Sequence, residues 1–207
     1  THAHKAAVHL FPLRDGSHLP FFPLSVRSPE PAVRTSSFPG MRIISGSLRG
    51  HNILPPKSFK ARPTTDFAKE GLFNVLDNSM DLTAIAALDL FAGSGSISLE
   101  FASRGCPSVT CVEMNPDYAR FIKDTVSALH LSSQVQVLRN NVFDFLNICT
   151  RKYNLVFADP PYDLPGLKNL PEKIFNAGIL EDDGMVVLEH PDAFSFAGSA
   201  HFMKEKK

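Results

Sequence analysis

A doubly wound, mostly parallel α/β sheet is what the 207-residue sequence predicts, and three observations carry that reading. From Asp81 onward, short apolar runs alternate with longer amphipathic stretches, the pattern of strands joined by crossover helices. The run Tyr153–Ala158 is almost continuously apolar, as strands buried on both faces are. The run Ala86–Leu90 leads into a turn with glycines at 93 and 95, the kind of turn that carries a chain from a strand into a helix beside a ligand.

Residues 1–40 show neither the helical nor the strand period. Pro12, Pro20, Pro23, Pro29, Pro31 and Pro39 interrupt every candidate element, so a disordered amino-terminal extension is expected. Patterned sequence begins at Met41, which reads as the natural start, with a targeting peptide as the alternative account of what precedes it. Residues 41–207 then form one domain, 41–80 as a basic hairpin and helix and 81–207 as the doubly wound core.

Segments 42–46 and 49–54 predict two short strands around a glycine-bearing turn, closed by Pro55-Pro56. Thr65 or Asp66 caps a helix running to about Leu76, with Phe67, Leu72, Phe73 and Leu76 on one face. Strands follow at Ala86–Leu90, 109–113, 135–138, Tyr153–Ala158 and 185–189. Helices at 96–104, 116–129, 142–149 and 170–177 separate them. Asn115 before Pro116 is a cap with proline at the first helical position. Five strands spaced by helices imply right-handed crossovers.

Net charge is zero, but its distribution is uneven. Residues 41–80 hold six basic against three acidic side chains, and the body beyond residue 80 is acidic. A basic arm on an acidic body suits contact with a phosphate backbone. The three cysteines have no C-x-x-C spacing and are odd in number, which argues against a disulfide framework and for a reducing cytoplasm. Half of the eight histidines lie within the first 40 residues and none pairs at ligand spacing, so no metal is expected. No stretch approaches the roughly 20 apolar residues a membrane span needs.

The chemistry gathers at the strand ends. Asp89 sits just before Phe91-Ala92-Gly93-Ser94-Gly95. The glycines let backbone approach a ligand, and the acid repels a pyrophosphate but welcomes an ammonium or sulfonium. Glu113 ends the second strand where a ribose-binding acid belongs, with Met114 next to it. Together they point to an adenosine-containing ligand, and Asp89 favours S-adenosylmethionine over a dinucleotide. Asn141 and the Val142 N–H are placed to meet an adenine edge; Asp144 competes for that role. Asp159-Pro160-Pro161-Tyr162 ends the fourth strand in a rigid turn, because neither proline can donate to a ladder. It presents a carboxylate, a fixed carbonyl and an aromatic ring together, a combination suited to gripping the exocyclic amine of a planar base. Glu189-His190-Pro191 reads as a turn ending the fifth strand.

Phe91-Ala92-Gly93-Ser94-Gly95, Glu113-Met114-Asn115 and Asp159-Pro160-Pro161-Tyr162 resemble the class I S-adenosylmethionine-dependent amino-methyltransferases, whose core is Rossmann-like. Met41 to Gly46 with Arg49-Gly50, then Arg62-Pro63-Thr64-Thr65-Asp66 through Asn74, resembles the bacterial RsmD family more narrowly. The resemblance covers Met41 to about Glu189. It implies methylation of the exocyclic N2 of a guanine in 16S ribosomal RNA, free or in the assembling small subunit, by a cytoplasmic monomer. It also places Arg62, Thr64 and Thr65 near the cofactor or target base. Arg42, Arg49, Lys57 and Lys60 are assigned to RNA phosphate. The rival readings are an adenine-N6 methyltransferase on DNA or RNA, and a non-catalytic cofactor or RNA binder.

A methyltransferase sheet of this class continues past its fifth strand into an antiparallel pair. Here residues 202–207 read as the first of those strands, with the last one truncated. The expectation is an exposed, flat apolar edge at 185–189, prone to aggregation.

Overall fold

The computed structural model describes residues 6–12, 41–56, 59, 65–191 and 204–206. In chain order come strand β1 (Ala6–Pro12), the two-residue strands β2 (Met41–Arg42) and β3 (Asn52–Ile53), and helix α1 (Asp66–Ser79). The alternating body follows as β4 (Ala86–Leu90), α2 (Ser96–Ser103), β5 (Ser108–Glu113), α3 (Pro116–Ala128), β6 (Val135–Arg139), α4 (Val142–Ile148), β7 (Tyr153–Ala158), α5 (Leu170–Asn176) and β8 (Leu180–Pro191). Strand β9 (Lys204–Lys206) comes last.

Strands β6-β5-β4-β7-β8 lie side by side and parallel. Their order reverses between β4 and β7, and open α/β sheets bind ligands at the carboxyl ends of such a switch point. Side chains alternate between the two faces of a strand, and the core divides accordingly. Ala87, Cys111, Leu155, Phe157, Met185 and Val187 pack on one face against α1, α2 and α3. Leu88, Val112, Val156, Ala158, Val186 and Leu188 pack on the other against α4 and α5. Strands buried on both faces explain the continuous apolar runs in the sequence. Helix starts follow their caps: Asn115 accepts from the Asp117 and Tyr118 N–H groups, and Thr65 accepts from that of Ala68.

Three expectations are corrected. The first 40 residues contribute a strand, since β1 pairs antiparallel along β8 from Ala6–Pro191 to Pro12–Met185, and β9 pairs on its far side. The 185–189 edge is therefore covered. Residues 1–5 and 13–40 lie outside the described residues. Secondly, His190 is not in a turn: β8 continues to Pro191 and His190 is buried within it. Thirdly, Phe67 is 54% exposed. The buried stripe of α1 is Lys69, Phe73 and Leu76, at the spacing one helix face requires.

The predicted hairpin is reduced to β2 and β3, with residues 43–51 forming a turn seated on α2. Gly46 has φ +82°, and a Cβ there would meet the Ser103 carbonyl oxygen at 1.8 Å. Only glycine fits so close an approach. No described helix is long and apolar enough to cross a membrane.

Candidate active site

The turn after β4 is built from backbone that side chains rarely tolerate. Phe91 has φ 64°, Gly93 55° and Gly95 77°. Gly95 caps α2, and a Cβ there would press to 3.0 Å on Ile122. Gly93 faces open space: a Cβ there would find its nearest neighbour, the Phe91 carbonyl oxygen, 3.9 Å away. The loop thus brings bare backbone and the amino end of α2 to the switch point.

Glu113 fastens this loop to the next. One carboxylate oxygen accepts from the Gly93 N–H at 2.8 Å and the other from the Asn115 N–H at 2.7 Å. Burial nonetheless holds its carboxyl above the usual range. Met114 beside it is 63% exposed. The Asn141 carbonyl oxygen caps α4, accepting from Phe143 at 2.8 Å, which leaves its amide NH2 to reach the Met114 sulfur at 3.6 Å. Val142 opens α4 and is buried, and Asp144 is exposed in the first turn.

Asp89 is 2% exposed and accepts a 2.6 Å hydrogen bond from the Ser98 hydroxyl. Burial pushes its carboxyl up to about 7 despite that bond, with Asp159 and Glu113 adding repulsion. Asp159 follows β7 and is pushed up to about 6, again by burial. Pro160 is buried, Pro161 is exposed, and Tyr162 is 37% exposed.

Four acids gather at this edge. Leu88, Val112 and Leu188 belong to the α4–α5 side, so Asp89, Glu113 and Glu189, the residues that follow them in their strands, belong to the opposite one. Asp159, just past the end of β7, is near enough to Asp89 and Glu189 for its charge to act on both. They stand at the carboxyl ends of four neighbouring strands. Such a cluster, beside a loop of exposed backbone, fits a ligand carrying an ammonium or sulfonium cation. The exposed Met114 and the Asn141 amide lie together beside these acids. The residues present therefore fit S-adenosylmethionine. Among the described residues no three His, Cys, Asp or Glu side chains are grouped to hold a metal ion.

The substrate-side residues divide. Arg42 is exposed and pairs with Asp66 at 3.0 Å, and Arg49 is exposed at the turn. Thr65 is occupied as the cap of α1, its hydroxyl 3.2 Å from the Ala68 nitrogen. Arg62, Thr64, Lys57 and Lys60 lie outside the described residues.

Sequence reasoning missed a buried network that ties this amino-terminal segment to the glycine loop and the start of α2. The Lys69 ammonium donates to the Arg42 carbonyl at 2.5 Å and to the Ser96 hydroxyl at 3.1 Å, and sits 3.5 Å from Glu100. Glu100 accepts from the Ile44 and Ser45 N–H groups at 2.8 and 3.0 Å and from Arg104 at 3.0 Å. Burial lowers the Lys69 pKa while Glu100 opposes the shift. The Ser94 hydroxyl meets the Met41 sulfur at 3.2 Å. A signal was available: Lys69 and Glu100 are opposite charges on otherwise apolar helix faces. Glu189 was passed over as well, read only as the last residue of the fifth strand.

Comparisons with known proteins show which family the chain is similar to. A family model described as Conserved hypothetical protein 95 matches residues 41–207. Ribosomal RNA small subunit methyltransferase D of Escherichia coli K12 is 32% identical over 149 residues, 72% of this chain and 74% of that protein. Its Buchnera aphidicola (subsp. Baizongia pistaciae) namesake is 28% identical over 162 residues, 78% and 82% of the two chains. A solved structure of a hypothetical protein from Thermus thermophilus superposes with a TM-score of 0.63 at 32% identity, covering 75% of this chain and 88% of that one. The tRNA1(Val) (adenine(37)-N6)-methyltransferase of Mannheimia succiniciproducens is 35% identical over 77 residues, 36% of this chain and 32% of that protein.

Proposed function

The chain belongs to the RsmD family of S-adenosylmethionine-dependent methyltransferases, and from that premise we propose that it methylates the exocyclic N2 amine of a guanine in 16S ribosomal RNA. The observation that carries the reading is the meeting of Asp159-Pro160-Pro161-Tyr162, at the end of β7, with the glycine loop at the end of β4. One site then has a place for a methyl donor and a grip for an amine.

The cofactor supplies an electrophilic methyl group on its sulfonium; this chain's residues prepare the nucleophile. A guanine N2 lone pair is delocalised into the ring. The Asp159 carboxylate and the Pro160 carbonyl each accept one of the amine's hydrogens, which draws the nitrogen toward tetrahedral geometry and aims its lone pair. Holding the reacting atoms in line supplies much of the rate. Tyr162 stacks on the base, which leaves its helical stack or is already single-stranded. The nitrogen, cationic once methylated, sheds a proton without a strong base. Arg42 and Arg49 meet RNA phosphates. The protein acts as a cytoplasmic monomer on free RNA or on the assembling small subunit.

Incubation of unmodified 16S RNA, free and in particles, with isotopically labelled cofactor and then nucleoside analysis tests the proposal. Labelled N2-methylguanosine is the expected product. N6-methyladenosine would move the assignment to the adenine class, which the adenine-N6 relative keeps in view. Cofactor binding with no transfer on either substrate would make the chain a binder.

A further inference from the structure

Three of the four acids at the carboxyl edge already have a task. Asp89 holds Ser98, Glu113 holds two backbone N–H groups, and Asp159 faces the target amine in the reading above. Glu189 has none. Resting on that reading, we propose that Glu189 is a positioning residue, a neutral carboxylic acid that donates a hydrogen bond to the Asp159 carboxylate and fixes its direction toward the amine.

Strand register brings the two acids to neighbouring strand ends. Ala158 and Leu188 are paired across the parallel strands β7 and β8. Asp159 and Glu189 are the residues that follow them, and the Asp159 charge acts on Glu189. Their backbones differ in freedom. Glu189 lies inside β8, which continues to Pro191 and is flanked by β7 on one side and β1 on the other. Asp159 has left its ladder, because Pro160 and Pro161 cannot donate to one. The acid held by two neighbours is thus the natural support for the acid on the turn.

Electrostatics assigns the proton. Burial, then the Asp159 charge, pushes the Glu189 carboxyl up to about 8, whereas that of Asp159 is pushed up to about 6. Two close carboxyls that cannot both ionise share one proton, and their titration belongs to the pair. Glu189 is raised further than Asp159, which favours the shared proton there and the charge on Asp159. Asp159 is the charged group acting on Glu189 from β7, Asp89 on β4 feels Asp159 in turn, and β1 sets Val8 in register with Glu189. No covalent step is added; the pair holds one hydrogen and one charge before the amine arrives.

The test compares Glu189→Ala and Glu189→Gln. Single-turnover methyl transfer by the alanine variant is expected to fall by about tenfold to a hundredfold, the cost of losing alignment, with cofactor affinity retained. The glutamine variant keeps a neutral donor of the same size and recovers most of the rate. Infrared difference spectra of the cofactor-free protein at neutral pH read the proton directly. They should show a protonated carboxyl band in the wild type that Glu189→Gln removes. Wild-type rates in both variants, equal losses in both, or a band unchanged by Glu189→Gln would overturn the assignment. If the wild type methylates no guanine, the function proposed above fails, and the infrared result alone decides the role of Glu189.

Discussion

Two buried polar regions lie on the same face of the sheet and are built on opposite rules. Under the amino-terminal segment, Lys69, Glu100 and Arg104 alternate in sign, and backbone groups of residues 42, 44 and 45 take up the remaining hydrogen-bonding capacity. At the carboxyl edge, Asp89, Glu113, Asp159 and Glu189 are all acids with no basic side chain set against them among the described residues, and three of them are pushed well above the usual carboxylate range. The first arrangement offsets much of its burial cost within the chain, with opposite charges and closed hydrogen bonds, although burial still lowers the Lys69 pKa. The second raises the energy of the folded chain and is relieved by protons or by a cation. A fold tolerates such an edge where function needs it, since strongly shifted groups collect at working sites.

The largest expected effect lies in the satisfied region. Lys69→Met leaves Glu100 buried without its ammonium and should cost about 3 to 5 kcal/mol in urea unfolding. The double change Lys69→Met with Glu100→Gln should recover part of that loss. If Lys69→Met unfolds like the wild type, the network is ornamental and the contrast between the regions fails.

The crowded region makes a smaller, pH-dependent prediction. Asp89, Asp159 and Glu189 have folded-state carboxyls raised to about 7, 6 and 8. Between about pH 4 and pH 8 the folded protein therefore holds protons that the unfolded chain has released. That contribution to stability is complete below the unfolded values and is lost as pH rises through the folded ones. Unfolding midpoints of the cofactor-free protein should show the wild type losing about 1 kcal/mol relative to Glu189→Gln on going from about pH 5 to about pH 8, after allowance for solvent screening. A gain over the same interval would mean that these acids are not crowded.

The smallest effect belongs to the exposed cations. Arg49→Ala should leave unfolding unchanged, weaken RNA binding modestly and lower the slope of log affinity against log salt by about one. Salt titration of RNA binding measures it. An unaltered slope would remove Arg49 from the RNA path.

Much of this was legible in the sequence because strands buried on both faces carry an unbroken apolar signal. Ala86–Leu90 and Tyr153–Ala158 are read at their observed bounds, and caps such as Asn115 locate helix starts without tertiary information. The motif residues were visible because each is an oddity against local pattern: glycines where a strand should continue, or prolines after an acid. What was hidden depends on distant partners. β1 joins the sheet across most of the chain length, and its histidine and proline content gives no local strand signal. Phe67 is apolar yet exposed because Lys69, neutralised by Glu100 on another helix, takes the buried stripe. The fifth strand reads as ending at Glu189 because Pro191 suggests a turn, whereas pairing with β1 carries the strand through.

The sharpest test of the contrast is a single change at the edge, Asp159→Asn, with stability and chemistry measured on the same preparation. Removing the Asp159 charge from this acidic edge while keeping the side chain's shape should raise the unfolding midpoint of the cofactor-free protein at neutral pH. It should also lower single-turnover methyl transfer by about a hundredfold or more, as loss of a preorganised polar contact does. A lower midpoint, or transfer at the wild-type rate, would contradict the claim that this edge gives up stability for methyl transfer.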